Sequence, residues 1–456
     1  MPEIRPFRGI RYNTEIIKDL SSVLSPPYDV ISPQEKEAII KSHPNNIINI
    51  ELPSDGHNPS DEDSYQKAAA YLREWIRVGV LEAEDKEAIY LCEHTFTWEG
   101  RDLNRKELYV RVRLQPWGDG ILPHEHTLRG PKIDRLNLMR ACNANISPIY
   151  SLYPDQDNVI GRLIEEAKRE VSRSSEKSVV KAEAWRDSSL TIYSIKDKDL
   201  VNKLSSTLSD LTLYIADGHH RYETALSYRD EVRANGAKSI EDVEDARSIG
   251  SDGSDYVLMA LTAISDPGLV IMPIHRLVKG VESSIINSLK ERLAKSFHLE
   301  PMPLRKGRAF EDLTNALAHM EKAQKVSPMF LLYGLEKESI FAIQPKNVGQ
   351  LRDAMPEEWP TSLKELDVCL LHWSIIGPML SIPPEAVSLG QNLDFIHSAA
   401  EAVESVDAGE SQLAFIMSPT RVDQVVAVAQ SGAKMPQKST FFYPKLPTGL
   451  VINLLD

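Results

Sequence analysis

Two hydrophobic periods take turns along this chain. In residues 88–98 and 107–115, Ile89 and Leu91, then Leu108, Val110, Val112 and Leu114, alternate with polar positions, and the intervening Glu99-Gly100-Arg101-Asp102 has turn composition. A period of two places alternate side chains on one face of a strand, so the segment predicts a hairpin. Ahead of it, residues 62–79 carry Tyr65, Ala69, Leu72 and Ile76 at helical spacing. Residues 1–50 read as extended and turn structure, including SPPYDV at 25–30, whose consecutive prolines resist helix.

Further along, a short helix is expected from near Asp134, helices at 158–173 and 197–208, strands at 189–195 and 211–216, and a longer helix from about 219. Another strand is read at 255–264 and a turn at 265–268, followed by helices at about 280–296 and 308–324. A second hairpin spans 328–344, a helical run covers 366–376, and a strand near 412–417, a helix at 420–430 and a strand at 448–454 complete the pattern. The polar stretches 174–188 and 235–253 read as loops or boundaries. There is no fixed-period repeat.

This mixture predicts an α/β or α+β fold with mixed sheets and flanking helices. The expected organisation is one compact assembly with approximate subregions 1–150, 151–276 and 277–456. Composition narrows the class: 42% hydrophobic and 26% charged residues are globular proportions, which exclude collagen and disorder. With 52 Lys and Arg against 66 Asp and Glu the net charge is −14, which disfavours nonspecific nucleic-acid binding. Cys92, Cys142 and Cys369 form no CxxC pair, so neither a disulfide framework nor a thiolate zinc site is suggested. No stretch approaches the ~18 uninterrupted apolar residues of a membrane span, and no apolar signal region opens the chain. The expectation is a cytoplasmic protein without a membrane partner.

The densest chemistry lies in LTLYIADGHHRYETALSYR, residues 211–229. An apolar run ends at Asp217-Gly218, and His219, His220 and Arg221 fall in the first turn of the expected helix. A helix start combines backbone N–H groups lacking helical acceptors with the positive end of the dipole, a natural seat for phosphate. Gly218 permits close backbone approach, Arg221 offers a planar two-pronged grip, and Asp217 is suited to capping the helix, holding a cation such as Mg²⁺, or orienting a histidine. The simpler reading makes Asp217 a cap and the histidines structural. The concentration of specialised residues favours function.

A second patch, His124-Glu125-His126 with Arg129 and Lys132, lacks the helical spacing of a zinc-binding histidine pair. Two readings stand equally: Glu125 as a general base with His124, His126, Arg129 and Lys132 managing charge around a substrate, or an exposed loop before a helix. His275-Arg276, after a proline, is either a further polar tip contacting substrate phosphate or a capped strand end. Tyr28 reads as a packing residue, Lys438-Ser439-Thr440 as structural, and His372 as a satisfied core histidine.

IADGHHRYETAL resembles the signature of the ParB and sulfiredoxin-like superfamily, which sets an acidic, glycine and basic motif at a nucleotide phosphate site. The wider chain resembles the domain of unknown function 1015 family through SPPYDVI (25–31), HEHTLRGPKIDRL (124–136), ISPIY (146–150), IADGHHRYETAL (215–226), MPIHR (272–276) and MPQKSTFFYPKLPTGLV (435–451). The resemblance implies a ParB-like core elaborated by family-specific segments. Superfamily members with comparable motifs include free serine kinases using ADP or ATP, ParB proteins using CTP, and sulfiredoxins using ATP. No cysteine lies in the motif, which argues against sulfinic acid reduction, and no helix-turn-helix annex is evident, which weakens chromosome partitioning.

The resemblance thus implies a nucleotide-dependent phosphotransferase acting on a small molecule, similar to free amino-acid kinases. It would use ATP or ADP, with CTP as an alternative, and Mg²⁺. Asp217, His220 and Glu125 would be catalytic, Gly218 to Arg221 would hold phosphate, and Asp217 would face the metal. The alternatives are a regulatory module that binds nucleotide without turnover and a nucleic-acid-associated protein. Residues 124–132 and 217–221 are expected to meet in one pocket. The sequence leaves the phosphate acceptor and oligomeric state open.

Overall fold

The computed structural model describes residues 1–53, 62–127, 129–173, 179–184, 188–240, 252–383, 386 and 390–455. Of the polar stretches read as loops, 179–184 is instead a strand, 188 begins another and 235–240 is helix, while 174–178, 185–187 and 241–251 lie outside the described residues. The chain forms an α+β structure whose contacts divide into two units. Unit 1 comprises Met1–Pro123, Thr127–Leu269 and Pro444–Asp456; unit 2 comprises His124–His126 and Val270–Tyr443.

Unit 1 is built on a nine-stranded mixed sheet. Its strands are β1 (Ile4–Arg5), β2 (Ile89–Trp98), β3 (Arg101–Arg113), β4 (Ile121–Leu122), β5 (Ile149–Tyr153), β6 (Val179–Ala184), β7 (Ser188–Ile195), β8 (Leu213–Asp217) and β9 (Tyr256–Ala263). Their order is β4-β8-β5-β9-β3-β2-β7-β6, with β1 also on β3. The β2–β3 hairpin pairs Trp98 with Arg101, and Glu99 and Gly100 both take positive φ. Two left-handed residues match the twist of the flanking strands in a two-residue turn.

Helices α1 (Pro33–Ser42), α2 (Glu62–Arg77), α3 (Arg129–Cys142), α4 (Val159–Arg173), α5 (Lys198–Ser209) and α6 (His219–Ile240) complete this unit. Ile160, Ile164 and Ala167 of α4 and Leu200, Leu204 and Leu208 of α5 cluster with Leu91, Leu108, Val110 and Leu261 of the sheet. The alternation in β3 hides one exception. Arg105 and Glu107, polar positions in the pattern, are fully buried as an ion pair at 2.7 Å, and Arg105 also donates to the Pro444 carbonyl.

Three boundaries depart from the sequence reading. α1 occupies a region read as extended; Ser32 and Glu35 cap it reciprocally and Pro33 opens it. α3 begins at Arg129 and not near Asp134, because Pro131 falls in the first turn, where its missing N–H leaves no bond unmade. Tyr28–Val30 forms a 3₁₀ turn.

Unit 2 carries a six-stranded antiparallel sheet of β10 (His275–Val278), β11 (Phe297–Pro303), β12 (Phe330–Glu336), β13 (Ser339–Pro345), β14 (Leu393–Ile396) and β15 (Leu413–Ile416), in the order β11-β13-β12-β15-β10-β14. β11 was not foreseen because it contains Pro301 and Pro303, and it lies at the sheet edge, where a proline breaks no ladder bond on its open side. α7 (Ser283–Ser296), α8 (Ala309–Gln324), α9 (Ala399–Asp407) and α10 (Val422–Gln430) accompany the sheet. Leu313, Ala316 and Met320 of α8 pack with Leu331, Ile340, Ala414 and Ile416. The helical run at 366–376 is not uniform: Asp367–Leu371 is α-helical, and His372–Ile376 widens into a π-helical turn. No helix among the described residues is long and apolar enough to cross a membrane.

Candidate functional site

In unit 1, β8 ends at Asp217 and α6 starts at His219, with Gly218 alone between them. Gly218 has φ +93°, and a Cβ there would lie 3.0 Å from the Arg221 guanidinium, so both conformation and space call for glycine. The tight turn folds Arg221 back onto the strand end. Its guanidinium donates to one Asp217 carboxylate oxygen at 2.7 Å and to the Pro148 carbonyl. Lys445 donates to the other Asp217 oxygen at 2.8 Å.

Burial alone would raise the Asp217 carboxyl, but Lys445 and then Arg221 hold it well below the usual carboxylate range. The result is a carboxylate fixed as an anion between two cations at the start of a 22-residue helix. His219 is buried, and His220, half-buried, is pushed down by loss of solvent, partly countered by Glu223 and Asp29. Asp29 also acts on Arg221 electrostatically, which brings the SPPYDV segment to this site.

A second buried pair stands beside the first. Arg135 grips Asp134 through two donors at 2.8 and 2.6 Å, donates to the Glu51 carbonyl at 2.8 Å, and lies 4.1 Å over the Tyr28 ring. Burial pushes the Glu51 carboxyl up, opposed by Arg135 and Arg221. A cavity of about 40 Å³ lies between the two arginines, lined by Glu51, Arg135, Met139, Ser147, Arg221 and Thr224. That is room for about one water molecule. One turn into α6, Glu223 accepts from Lys132 at 2.8 Å and Thr127 at 2.7 Å.

The candidate residues therefore divide. Lys132, Asp217, Gly218, His219, His220 and Arg221 belong to unit 1; His124, Glu125, His126 and Arg276 belong to unit 2. Arg129 opens α3, and its side chain lies outside the described residues. Within unit 2, His124 is hydrogen-bonded to Thr440 at 3.0 Å, and Glu125 accepts from the Lys438 backbone at 3.4 Å. His275 accepts from the Met417 backbone, while Arg276 is buried and donates to the Ile274 and Lys438 carbonyls. His372, read from sequence as a satisfied core residue, is instead left with a buried Nε2 that has no partner.

Sequence reasoning missed Lys445, Glu51 and Glu223 as members of the unit 1 cluster. Glu223 stands four residues after His219, close to one helical turn away, and Lys445 falls in a segment that carries the family resemblance. Nothing local marks Glu51.

The chain belongs to the family described as Protein of unknown function (DUF1015), whose model matches residues 4–369. No curated protein matches. Among solved structures, a free serine kinase mutant in complex with AMP is similar at 14% identity and TM-score 0.34, covering 73% of this chain and 87% of that one. A free serine kinase mutant in complex with ADP gives 14% identity and 0.33 over 73% and 87%. A conserved hypothetical protein from Pyrococcus furiosus gives 16% and 0.33 over 76% and 95%. Likeness at these scores carries no argument about activity.

Proposed function

We propose that unit 1 binds a nucleotide phosphate at the β8–α6 turn and that the protein is a nucleotide-dependent phosphotransferase acting on a small molecule. One observation carries the reading: Asp217, kept ionised between Arg221 and Lys445, sits at the N-terminal end of α6 behind a glycine whose positive φ would strain any other residue. A helix start with cations beside it suits phosphate, and phosphoryl transfer asks for charge neutralisation and alignment more than covalent protein chemistry. In this reading the His219–Arg221 turn and Lys445 hold the phosphate, and His220 and Asp217 act on the transferring group. Asp29, which acts on both Arg221 and His220 within unit 1, is the proposed proton acceptor.

A resident metal does not fit the site as folded. Both Asp217 oxygens are engaged by cations, and no group of three His, Cys, Asp or Glu is placed to hold a metal among the described residues. Mg²⁺ enters only as the counter-ion a nucleotide brings, and no step is assigned to it.

Calorimetry and turnover assays with ATP, ADP and CTP on the full chain test the proposal. Saturable binding with phosphate transfer to a small acceptor is expected. Binding without turnover would leave the regulatory module, and no binding of any of the three would remove the reading.

A further inference from the structure

Unit 2 contains a cavity of about 740 Å³ that the phosphate-site reading does not use. Its size is that of a small-molecule site. Trp359 and Trp373 form one wall, with ring centroids 5.5 Å apart at 61°, and Trp373 is held by a hydrogen bond from its indole N–H to the Ala354 carbonyl at 3.0 Å. Ile376, Pro378 and Ile382 add apolar surface. Trp373 remains 42% exposed, unusual for so large an apolar side chain on a helical run.

Two features single this cavity out as a built site. His372 lines it with a buried Nε2 atom that has no hydrogen-bond partner. Such an atom forfeits its hydration unless something enters to pair with it. The wall also includes the π-helical turn His372–Ile376, where Gly377 N–H reaches back to the His372 carbonyl. π turns are rare and concentrate at functional positions.

Charge decides what enters. Lys434 lines the cavity, and no carboxylate stands among its described lining residues. Behind it, Arg276 is completely buried with an unpaired Nε and no acidic partner acting on it; burial pulls its guanidinium down to about 9. Loss of solvent, joined by the Arg276 charge, pulls His372 down to about 3, so its imidazole stays neutral. Burial and Lys434 likewise lower His126 at the cavity wall. The Cys369 thiol is pushed up to about 12 by burial and stays protonated, so it contributes packing and no nucleophile. The described lining is aromatic and apolar, with one cation, Lys434, and no carboxylate.

From this geometry we propose that the unit 2 cavity binds a planar aromatic carboxylate, its rings against Trp359 and Trp373 and its acid group between Lys434 and His372 Nε2, the imidazole taking the tautomer with its proton on Nε2. Stacking supplies the apolar contact, and the carboxylate gives the unpaired imidazole nitrogen its acceptor.

The probe is 2-naphthoate, with uncharged 2-naphthamide as its control, titrated into the full chain by calorimetry and by tryptophan fluorescence. One-to-one binding at sub-millimolar concentration with fluorescence quenching is expected, and the amide should bind at least about tenfold more weakly. Lys434→Gln, on a partly exposed loop, should weaken naphthoate about tenfold without altering the amide. His372→Phe should weaken it while leaving the fold intact. Absence of saturable binding, equal affinity for acid and amide, or a Lys434→Gln variant indistinguishable from the parent would overturn the proposal. Displacement of naphthoate by ATP would also overturn it, because the cavity would then be a nucleotide site.

Discussion

The buried arginines of the two units follow opposite rules. In unit 1, each buried arginine near the β8–α6 turn faces a carboxylate: Arg221 meets Asp217, Arg135 meets Asp134 and Glu51, and deeper in the sheet Arg105 meets Glu107. In unit 2, Arg276 is buried against backbone carbonyls and the Phe395 ring with no carboxylate, and His372 has an unpaired nitrogen. A compensated cluster is rigid and costly to disturb, because removing one partner strands the other's charge. An uncompensated one is already paying for its polarity and stands to gain from a ligand.

Asp217→Asn should therefore have the largest effect. It leaves Arg221 and Lys445 facing a neutral group, and a loss of about 3–5 kcal/mol, measured by chemical denaturation, is expected. The loss should depend on pH. Because the folded Asp217 carboxyl lies below its unfolded value, its contribution is present above about pH 4 and fades as pH falls toward the folded value. A difference between parent and variant that did not shrink in acid would break the compensated description of unit 1.

Arg221 comes next. Arg221→Lys keeps charge but loses the planar fork that serves Pro148 and Asp217 together, and Arg221→Ala loses both, so nucleotide affinity should fall in the order Arg, Lys, Ala. About 1.5–3 kcal/mol, or roughly ten- to a hundredfold, is expected for the loss of one charge-assisted bond. Burial of this side chain also predicts a substantial loss of stability for the alanine variant. The lysine variant, titrated calorimetrically, is the more informative.

Asp367 in unit 2 should show the reverse pH sign. Burial lifts the Asp367 carboxyl to about 6, against the weaker pull of Arg352 and Arg421, and its oxygen accepts from Gln324 at 3.1 Å. A carboxyl raised in the folded state favours folding at low pH, and that advantage is lost as pH rises through about 6. Asp367→Asn keeps the acceptor and should gain roughly 1–3 kcal/mol above pH 7, with little difference below pH 4. Thermal melts across this range check it. The smallest effect is expected for His372→Leu, which removes an unpaired buried nitrogen and should leave stability unchanged or raise it by about 1 kcal/mol. A large loss would show that the imidazole is satisfied after all.

Legibility in the sequence followed the range of the forces involved. The β2–β3 hairpin was readable because alternating Leu108, Val110 and Val112 and a two-residue turn are local signals. The β8–α6 junction was readable because an apolar run, a glycine and a polar turn are contiguous. α1 was obscured by neighbouring prolines, although its Ser32–Glu35 cap was present in the chain. The buried Arg105–Glu107 pair looked like a solvent face, since period alone cannot distinguish a polar residue in water from one facing its counter-charge. Lys445 approaches Asp217 from 228 positions away, which no pattern around either residue announces.

The return of the chain to unit 1 at Pro444 has a consequence for the order of events during synthesis. Residues 270–443 leave the ribosome before the segment carrying Lys445, so nascent unit 1 holds Asp217 with Arg221 but without its second cation. Segments generally begin folding as they emerge. Ile452, which pairs through its backbone with Ile10, and Asn453, which pairs with Asn145, arrive later still. The turn proposed to hold phosphate would thus acquire its full charge only after all of residues 270–443 have been made, and a nascent chain halted before residue 444 should release nucleotide that a chain extending past Asn453 retains.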